Sequence, residues 1–149
     1  MTPTRKPKPV IGMSELIDLP ELGLFMMPAK VDTGAYTSAL HCEHVRIVYV
    51  DQQPHLSFWV TDSQGKPLRE HQCAEFSQRL VRNSFGGAEK RYVIKTHVVL
   101  LGRRIQAEFT LANRRQLRNP ILLGRQLLRH RFVIDVALKN LSRPGNQGP

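Results

Sequence analysis

The strict alternation of side chains in short runs constrains the fold of this chain more than any other feature. Between Ile105 and Leu111 every odd-numbered residue is apolar and every even-numbered residue is polar. Successive side chains of a β-strand point to opposite faces, so this run predicts a strand with one buried face. A second run, from Arg91 to Leu100, precedes it across Gly102, and the two runs together predict a β-hairpin.

Similar runs, each bounded by turn residues, recur along the chain. The further predicted strands are Val10–Ile17, Met27–Val31, His44–Asp51, Leu56–Thr61 and Phe132–Val136. Turns are predicted at residues 19–23, 52–54 and 63–66, and one short helix is predicted at Arg125–Arg131, after Gly124. Many short strands with one helix near the C-terminus indicate an all-β domain, either a barrel or a sandwich.

The length of 149 residues suits a single domain. We expect that domain at residues 10–137, between a flexible basic N-terminus at 1–9 and a flexible C-terminal tail at 138–149. No apolar run approaches the roughly 18 residues that cross a membrane, and no secretory signal is recognisable at the N-terminus. Cys42 and Cys73 are too few for a disulfide framework, so we expect a cytoplasmic protein.

The net charge is +10, from 22 Lys and Arg against 12 Asp and Glu, and it is unevenly distributed. Between residues 103 and 131 one acidic residue, Glu108, stands against eight arginines: Arg103, Arg104, Arg114, Arg115, Arg118, Arg125, Arg129 and Arg131. This excess indicates either a solvated basic surface or an anionic partner such as an acidic protein, the ribosome or nucleic acid. Nucleic acid is the least favoured of these, because only 7% of residues are aromatic and no recognition helix is evident.

Two segments carry the candidate chemistry. In the first, a predicted strand delivers Asp32 into a tight turn made by Thr33, Gly34 and Ala35. Asp and Gly are common turn residues, so this segment alone is weak evidence. The second segment, Pro120 to Leu128, is an apolar strand, a glycine and then a short helix. Each is ordinary by itself, and their order and separation within an all-β chain make the pair informative.

The pair resembles the active-site loop of retropepsins and the apolar-apolar-Gly-Arg segment that packs against it. More narrowly, the chain resembles bacterial retropepsin-like proteins once labelled "ATP-dependent zinc protease", many of them encoded near a glutamate ligase. The matching stretches follow one another from Val10 to Val136. They are Ile11-Gly12, residues 19–23, Ala29 to His41, Glu89 to Thr96, Thr110 to Arg114 and Leu122 to Asp135.

The resemblance implies a fold, a mechanism and a set of site residues. The fold is a closed β-barrel, one lobe of an acid protease, with a short C-terminal helix. One lobe supplies one carboxylate, so a complete site requires a homodimer in which two Asp32 side chains share a proton and activate a water. The implied residues are catalytic Asp32; active-site loop Thr33, Gly34 and Ala35; loop support Leu123, Gly124 and Arg125; and a flap at about residues 72–90 with Gly86 and Gly87 near its tip.

The activity that the resemblance implies is an aspartic endopeptidase acting on protein, with substrates that include acidic-tailed or glutamate-ligase-modified proteins. The alternative is a non-catalytic module of the same fold that binds and regulates a glutamate ligase or a ribosomal protein. The sequence predicts no cofactor and no metal. His41, Cys42 and His44, with His71 or Cys73, form the best zinc candidate, but they lack the paired ligand spacing of zinc sites, and no phosphate-binding loop is present.

Overall fold

The computed structural model describes residues 7–82, 86–114 and 119–142, and these residues are mostly β-structure, as predicted. The strands within these ranges are β1 (Val10–Ile11), β2 (Ser14–Leu19), β3 (Leu24–Val31), β4 (Ser38–Val50), β5 (Gln53–Thr61), β6 (Pro67–Cys73), β7 (Ser77–Arg82), β8 (Ala88–Leu100), β9 (Arg103–Ala112), β10 (Ile121–Leu123) and β11 (Val133–Ile134). Helix α1 (Arg125–Leu128) is a single turn, and a 3₁₀ turn covers Pro20–Leu22. Arg115, Arg118 and most of the two expected tails lie outside the described residues.

Six strands pair in a closed ring, in the order β10, β3, β2, β8, β9, β4 and back to β10. The β2–β8 join is the narrowest, with Asp18 opposite Val99. From this ring β5 and β6 continue beyond β4, and β7 pairs with β8. The small sheet of β1 and β11 is separate from the ring. The closed barrel that we predicted from the resemblance requires such a ring of pairings.

The inward faces of these strands form one hydrophobic core. Strands β2, β3, β5, β8, β9 and β10 all contribute side chains that are almost fully buried. The predicted β8–β9 hairpin is confirmed, and its odd-numbered β9 residues, Ile105, Ala107, Phe109 and Leu111, are buried. Burial of this alternating face is what holds β9 in register against β8.

Several predicted boundaries are wrong, each for a local reason. Residues 10–17 form two strands because the strand pairing is interrupted at Gly12, whose N–H donates to the buried carboxylate of Glu15 at 2.7 Å. The first hairpin turns at Asp51 and Gln52, both with positive φ, one residue before the predicted turn at 52–54. By contrast, the turn predicted at residues 19–23 is present as the 3₁₀ turn, which closes on Gly23 in the left-handed region.

The C-terminal helix and strand are also shorter than predicted. Helix α1 ends at Leu128 and not at Arg131, because Arg129 is extended and His130 adopts a positive φ of 68°. The last strand covers Val133–Ile134 in place of residues 132–136. Beyond it, the buried Glu15 carboxylate accepts hydrogen bonds from the N–H groups of Leu141 and Ser142, so residues up to 142 pack against the domain. None of the described helices has the length and apolar character to cross a membrane.

Candidate active site

Asp32 follows the last residue of β3 and begins a hydrogen-bonded loop. Its N–H donates to the carbonyl of Leu123 at 2.9 Å, which ties the loop to β10. Its Oδ1 accepts a hydrogen bond from Gly34 N–H at 3.0 Å, and its carbonyl accepts one from Ala35 N–H at 3.2 Å. Hydrogen bonds therefore hold Asp32 both to β10 and to the turn that follows it, and the residue is half-buried.

Strand β10 lies directly beneath this loop, between two strands that the sequence separates from it. It runs parallel to β3, with Leu123 opposite Val31, and antiparallel to β4, with Ile121 opposite Leu40. Ile121 and Leu123 are fully buried. The structure thus brings together Asp32 and the Leu123-Gly124-Arg125 segment, which are about ninety residues apart in the chain.

Gly124 is the point of closest approach between β10 and the residues that follow the Asp32 loop. A Cβ at this position would lie 2.6 Å from the Tyr36 carbonyl oxygen and 2.8 Å from the Thr37 carbonyl carbon. The N–H of Gly124 donates to the buried Ser38 hydroxyl at 3.0 Å. Because its φ of −93° is open to any residue, glycine is required here by space and not by backbone conformation.

Arg125 holds the loop from its other side. Its backbone N–H donates to the Ala35 carbonyl at 2.8 Å, and its Nη1 donates to the Thr33 carbonyl at 2.8 Å. The guanidinium also lies 5.8 Å from the ring centre of Tyr36, within range of a cation–π contact. Each residue that we predicted for the loop and its support therefore lies in one hydrogen-bonded unit.

A cleft of about 640 Å³ opens beside this unit. The loop lines it with Asp32, Gly34 and Tyr36, and β7 lines it with residues 79–82. Strands β7 and β8 pair as a hairpin whose residues help to line the cleft, with Arg82 opposite Ala88 near its end. Gly86 has a φ of 83° and lies, with Gly87, in the connection between the two strands, where we predicted the flap tip.

The cleft is strongly basic. Among the described residues that line it, Asp32 is the single carboxylate, and it faces four arginines: Arg79, Arg82, Arg91 and Arg114. Burial and the nearby Arg91 lower the pKa of Arg114, and the charge of Asp32 opposes that effect. Three of these arginines, Arg79, Arg82 and Arg91, lie on the β7–β8 hairpin, and they were not predicted as site residues because only the pairing of the two strands brings them to one cleft.

The zinc candidates serve other roles. His41 is buried, and its Nδ1 accepts a hydrogen bond from the Arg114 N–H at 2.7 Å, which positions the backbone of a cleft residue. Burial raises the pKa of the Cys42 thiol far above its ordinary value. His71 contacts the Leu22 carbonyl at 3.1 Å through Nε2 and stacks on Phe58. Within the described ranges, no three His, Cys, Asp or Glu side chains converge as metal ligands would.

Comparison with known proteins points to one family. Residues 10–144 match the model of a family described as RimB-like, the retropepsin-like aspartic endopeptidase RimB. Curated relatives are named probable alpha-L-glutamate ligase. The one from Desulfotalea psychrophila is 34% identical over 134 residues, which are 89% of this chain and 29% of that protein. The one from Parasynechococcus marenigrum is 35% identical over 130 residues, or 86% of this chain and 28% of that protein.

The chain therefore spans less than a third of the length of these ligase-named relatives. Among solved structures, the fold is similar to that of Lpg0085, a protein of unknown function from Legionella pneumophila. The TM-score is 0.68 at 24% identity, and the match covers 91% of this chain and 98% of that one. This likeness supports the fold.

Proposed function

The chain belongs to the RimB-like family of retropepsin-like proteins, and from this premise we propose that it is an aspartic-type endopeptidase that acts as a homodimer on acidic protein substrates. The observation that carries the proposal is the position of Asp32. Its carboxylate stands on a loop fixed by β10 and Arg125, at the edge of a cleft large enough for a peptide segment. A rigidly held carboxylate beside a peptide-sized cleft is what general acid–base hydrolysis requires.

One carboxylate per chain is the reason to propose a dimer. In an aspartic peptidase two carboxylates hold a water between them, and like charges at short range share one proton. The ionised Asp32 takes a proton from the water while the water oxygen attacks the scissile carbonyl carbon. The protonated Asp32 of the second chain gives its proton to the carbonyl oxygen. As the C–N bond breaks, the amine nitrogen takes the proton that the first Asp32 received from the water. One hydroxyl of the tetrahedral intermediate gives its proton to the second Asp32 as the C=O bond re-forms, so the pair again holds one shared proton.

The exposed surface around the loop suits this pairing. Thr33 and Gly34 are exposed, and Tyr36 keeps 45% of its surface accessible between two arginines. A two-fold axis near Asp32 would cover these groups and bring the two carboxylates together. The β7–β8 hairpin of each chain, which lines the cleft, would then close over the substrate and exclude water.

The substrate is proposed to be acidic because of the charges in the cleft. Four arginines beside one carboxylate make a positive potential that attracts and retains anionic peptides. Glutamate tails are the favoured case, since the matching segment in the curated relatives belongs to longer proteins named for glutamate ligation. A glutamate ligase or a ribosomal protein modified by one is the proposed cellular partner. Both cysteines are free thiols, which fits the reducing cytoplasm that we propose as the location.

A second function is a non-catalytic module that binds a glutamate ligase, and the names of those relatives favour it. One experiment separates the two. Proteins that carry a glutamate tail, and matched proteins with a glutamine tail, are incubated with the purified protein and read by mass spectrometry. We expect new termini within or beside the glutamate tail only. Intact tails together with stable binding of a glutamate ligase would instead support the module.

A further inference from the structure

Arg79 connects strand β7 of the proposed flap to the body of the domain. It belongs to β7, which among the described residues pairs only with β8 and is otherwise an edge strand. Its Nη1 donates to the Thr37 hydroxyl at 3.2 Å, and its Nη2 donates to the Glu108 carboxylate at 2.7 Å. The Arg79 side chain therefore joins β7 both to Thr37, which follows the Asp32 loop, and to Glu108 of β9.

Asp32 and Glu108 line different hollows of the surface. Arg79 lines the cleft that contains Asp32, whereas Glu108 lines two smaller hollows of about 270 and 320 Å³. The Arg79 and Glu108 side chains keep 42% and 21% of their surface accessible, so water and solutes reach the pair. A guanidinium has five N–H donors, and the contacts to Thr37 and Glu108 use two of them. A carboxylate that enters from the cleft can therefore make its first bond to Arg79 before it displaces Glu108 from Nη2.

Resting on the proposed function, we propose that Arg79 is a specificity-determining residue that binds a carboxylate of the substrate, and that Glu108 is the internal carboxylate with which the substrate competes. A glutamate side chain offers Arg79 the same charged acceptor that Glu108 offers, so the exchange conserves a charge-assisted contact. A glutamine side chain offers a neutral acceptor and leaves the Glu108 pair intact. Discrimination between the two substrates thus arises at a single guanidinium.

The test measures binding, which separates this inference from the proposed hydrolysis. Fluorescence anisotropy records the affinity of a glutamate-rich peptide and of the same peptide with glutamines, on protein that carries Asp32→Asn to prevent turnover. Arg79→Gln and Glu108→Gln are each added to this background. Arg46→Gln is the matched control, because Arg46 forms a surface ion pair with Glu70 at 3.9 Å, in β4 and β6, and does not line the cleft.

We expect Arg79→Gln to weaken binding of the glutamate peptide about tenfold or more, the scale of a lost charge-assisted contact, and to leave the glutamine peptide unchanged. Glu108→Gln should tighten binding of the glutamate peptide several-fold, because it removes the competitor. Arg46→Gln should change either affinity by less than about twofold. Arg79→Lys keeps the charge without the planar fork and should give an intermediate affinity.

Three results would overturn the inference. Equal losses with Arg79→Gln and Arg46→Gln would mean that bulk charge alone attracts the peptide. Weaker binding of both peptides in Arg79→Gln and in Arg79→Lys would mean that Arg79 only maintains the structure, and thermal melts would identify that case. Weaker binding of the glutamate peptide in Glu108→Gln would mean that Glu108 orients Arg79 and does not compete. If the expected binding pattern appears but the wild type cleaves neither peptide, the proposed hydrolysis fails and the role of Arg79 stands.

Discussion

Replacing Gly124 with alanine tests the support of the Asp32 loop at its tightest point. The added Cβ would lie 2.6 Å from the Tyr36 carbonyl oxygen and 2.9 Å from that of Thr37, and both are backbone atoms that cannot rotate away. The backbone must shift, and overpacking of this kind costs about 1–3 kcal/mol. The shift also strains the bonds from Gly124 N–H to Ser38 and from Arg125 N–H to Ala35, for about 1 kcal/mol more.

The expected loss for Gly124→Ala is thus about 2–4 kcal/mol, or a fall in melting temperature of about 5–15 °C for a domain of this size. The cleavage rate should also fall at temperatures where the variant is still folded, because a small displacement of a catalytic group lowers the rate by a large factor. Gly65→Ala is the control: Gly65 has a φ of 83° and open space around it, so only backbone strain is added there. If Gly124→Ala melts no lower than Gly65→Ala and keeps wild-type activity, Gly124 does not support the Asp32 loop in the way proposed.

Three further predictions test other parts of the structure. Ser38→Ala leaves the buried N–H of Gly124 without its acceptor and should destabilise the fold by about 1–3 kcal/mol in chemical denaturation, whereas Ser63→Ala on an exposed turn should have little effect. Hydrogen bonds from the His97 side chain and backbone hold the pKa of Glu21 below its ordinary value. This contact therefore stabilises the fold at pH values above the unfolded-state pKa of Glu21, and the stabilisation is lost as pH falls through the folded-state pKa. The difference in melting temperature between wild type and Glu21→Gln should accordingly shrink as pH is lowered from about 6 to about 3. Peptidase activity should survive chelators, since no described cluster of side chains forms a metal site, and a loss on chelation that zinc restores would contradict the carboxylate mechanism.

The sequence predicted the elements whose burial is one-sided. The β8–β9 hairpin was predicted with its turn in the correct place, because apolar core residues alternate with polar residues along β9. By contrast β4 begins at Ser38 and not at His44, because residues 38–43 are all buried and show no alternation. The change to an alternating pattern comes at His44, whose positive φ accompanies a bulge in the pairing with β5.

Strands β6 and β7 were not predicted, and the basic cleft was missed with them. The residues of both strands are mostly exposed, so backbone pairing to β5 and β8 holds them and no apolar period identifies them. The cluster of Arg79, Arg91 and Arg114 depends on that pairing, because pairing of β7 with β8 brings Arg79 and Arg91 to the cleft that Arg114 also lines. The Asp32 loop could be located from the sequence, because residues 32–35 and the Leu123-Gly124-Arg125 segment each match a motif of the family that the chain resembles.

The central claim, a site shared by two copies of Asp32, is tested most directly by mixing. A fixed amount of wild-type protein is titrated with Asp32→Asn protein under conditions that allow subunit exchange, and cleavage of the glutamate peptide is followed. Asparagine keeps the shape of the side chain but can neither take up nor give the proton that the pair shares, so a mixed dimer has one carboxylate without its acid–base partner and should be inactive. With random pairing, an equal amount of Asp32→Asn should reduce the activity of the wild-type protein to about half, and a large excess should abolish it. Activity that is independent of added Asp32→Asn protein would contradict the shared site, and cleavage by Asp32→Asn alone would remove Asp32 from the mechanism.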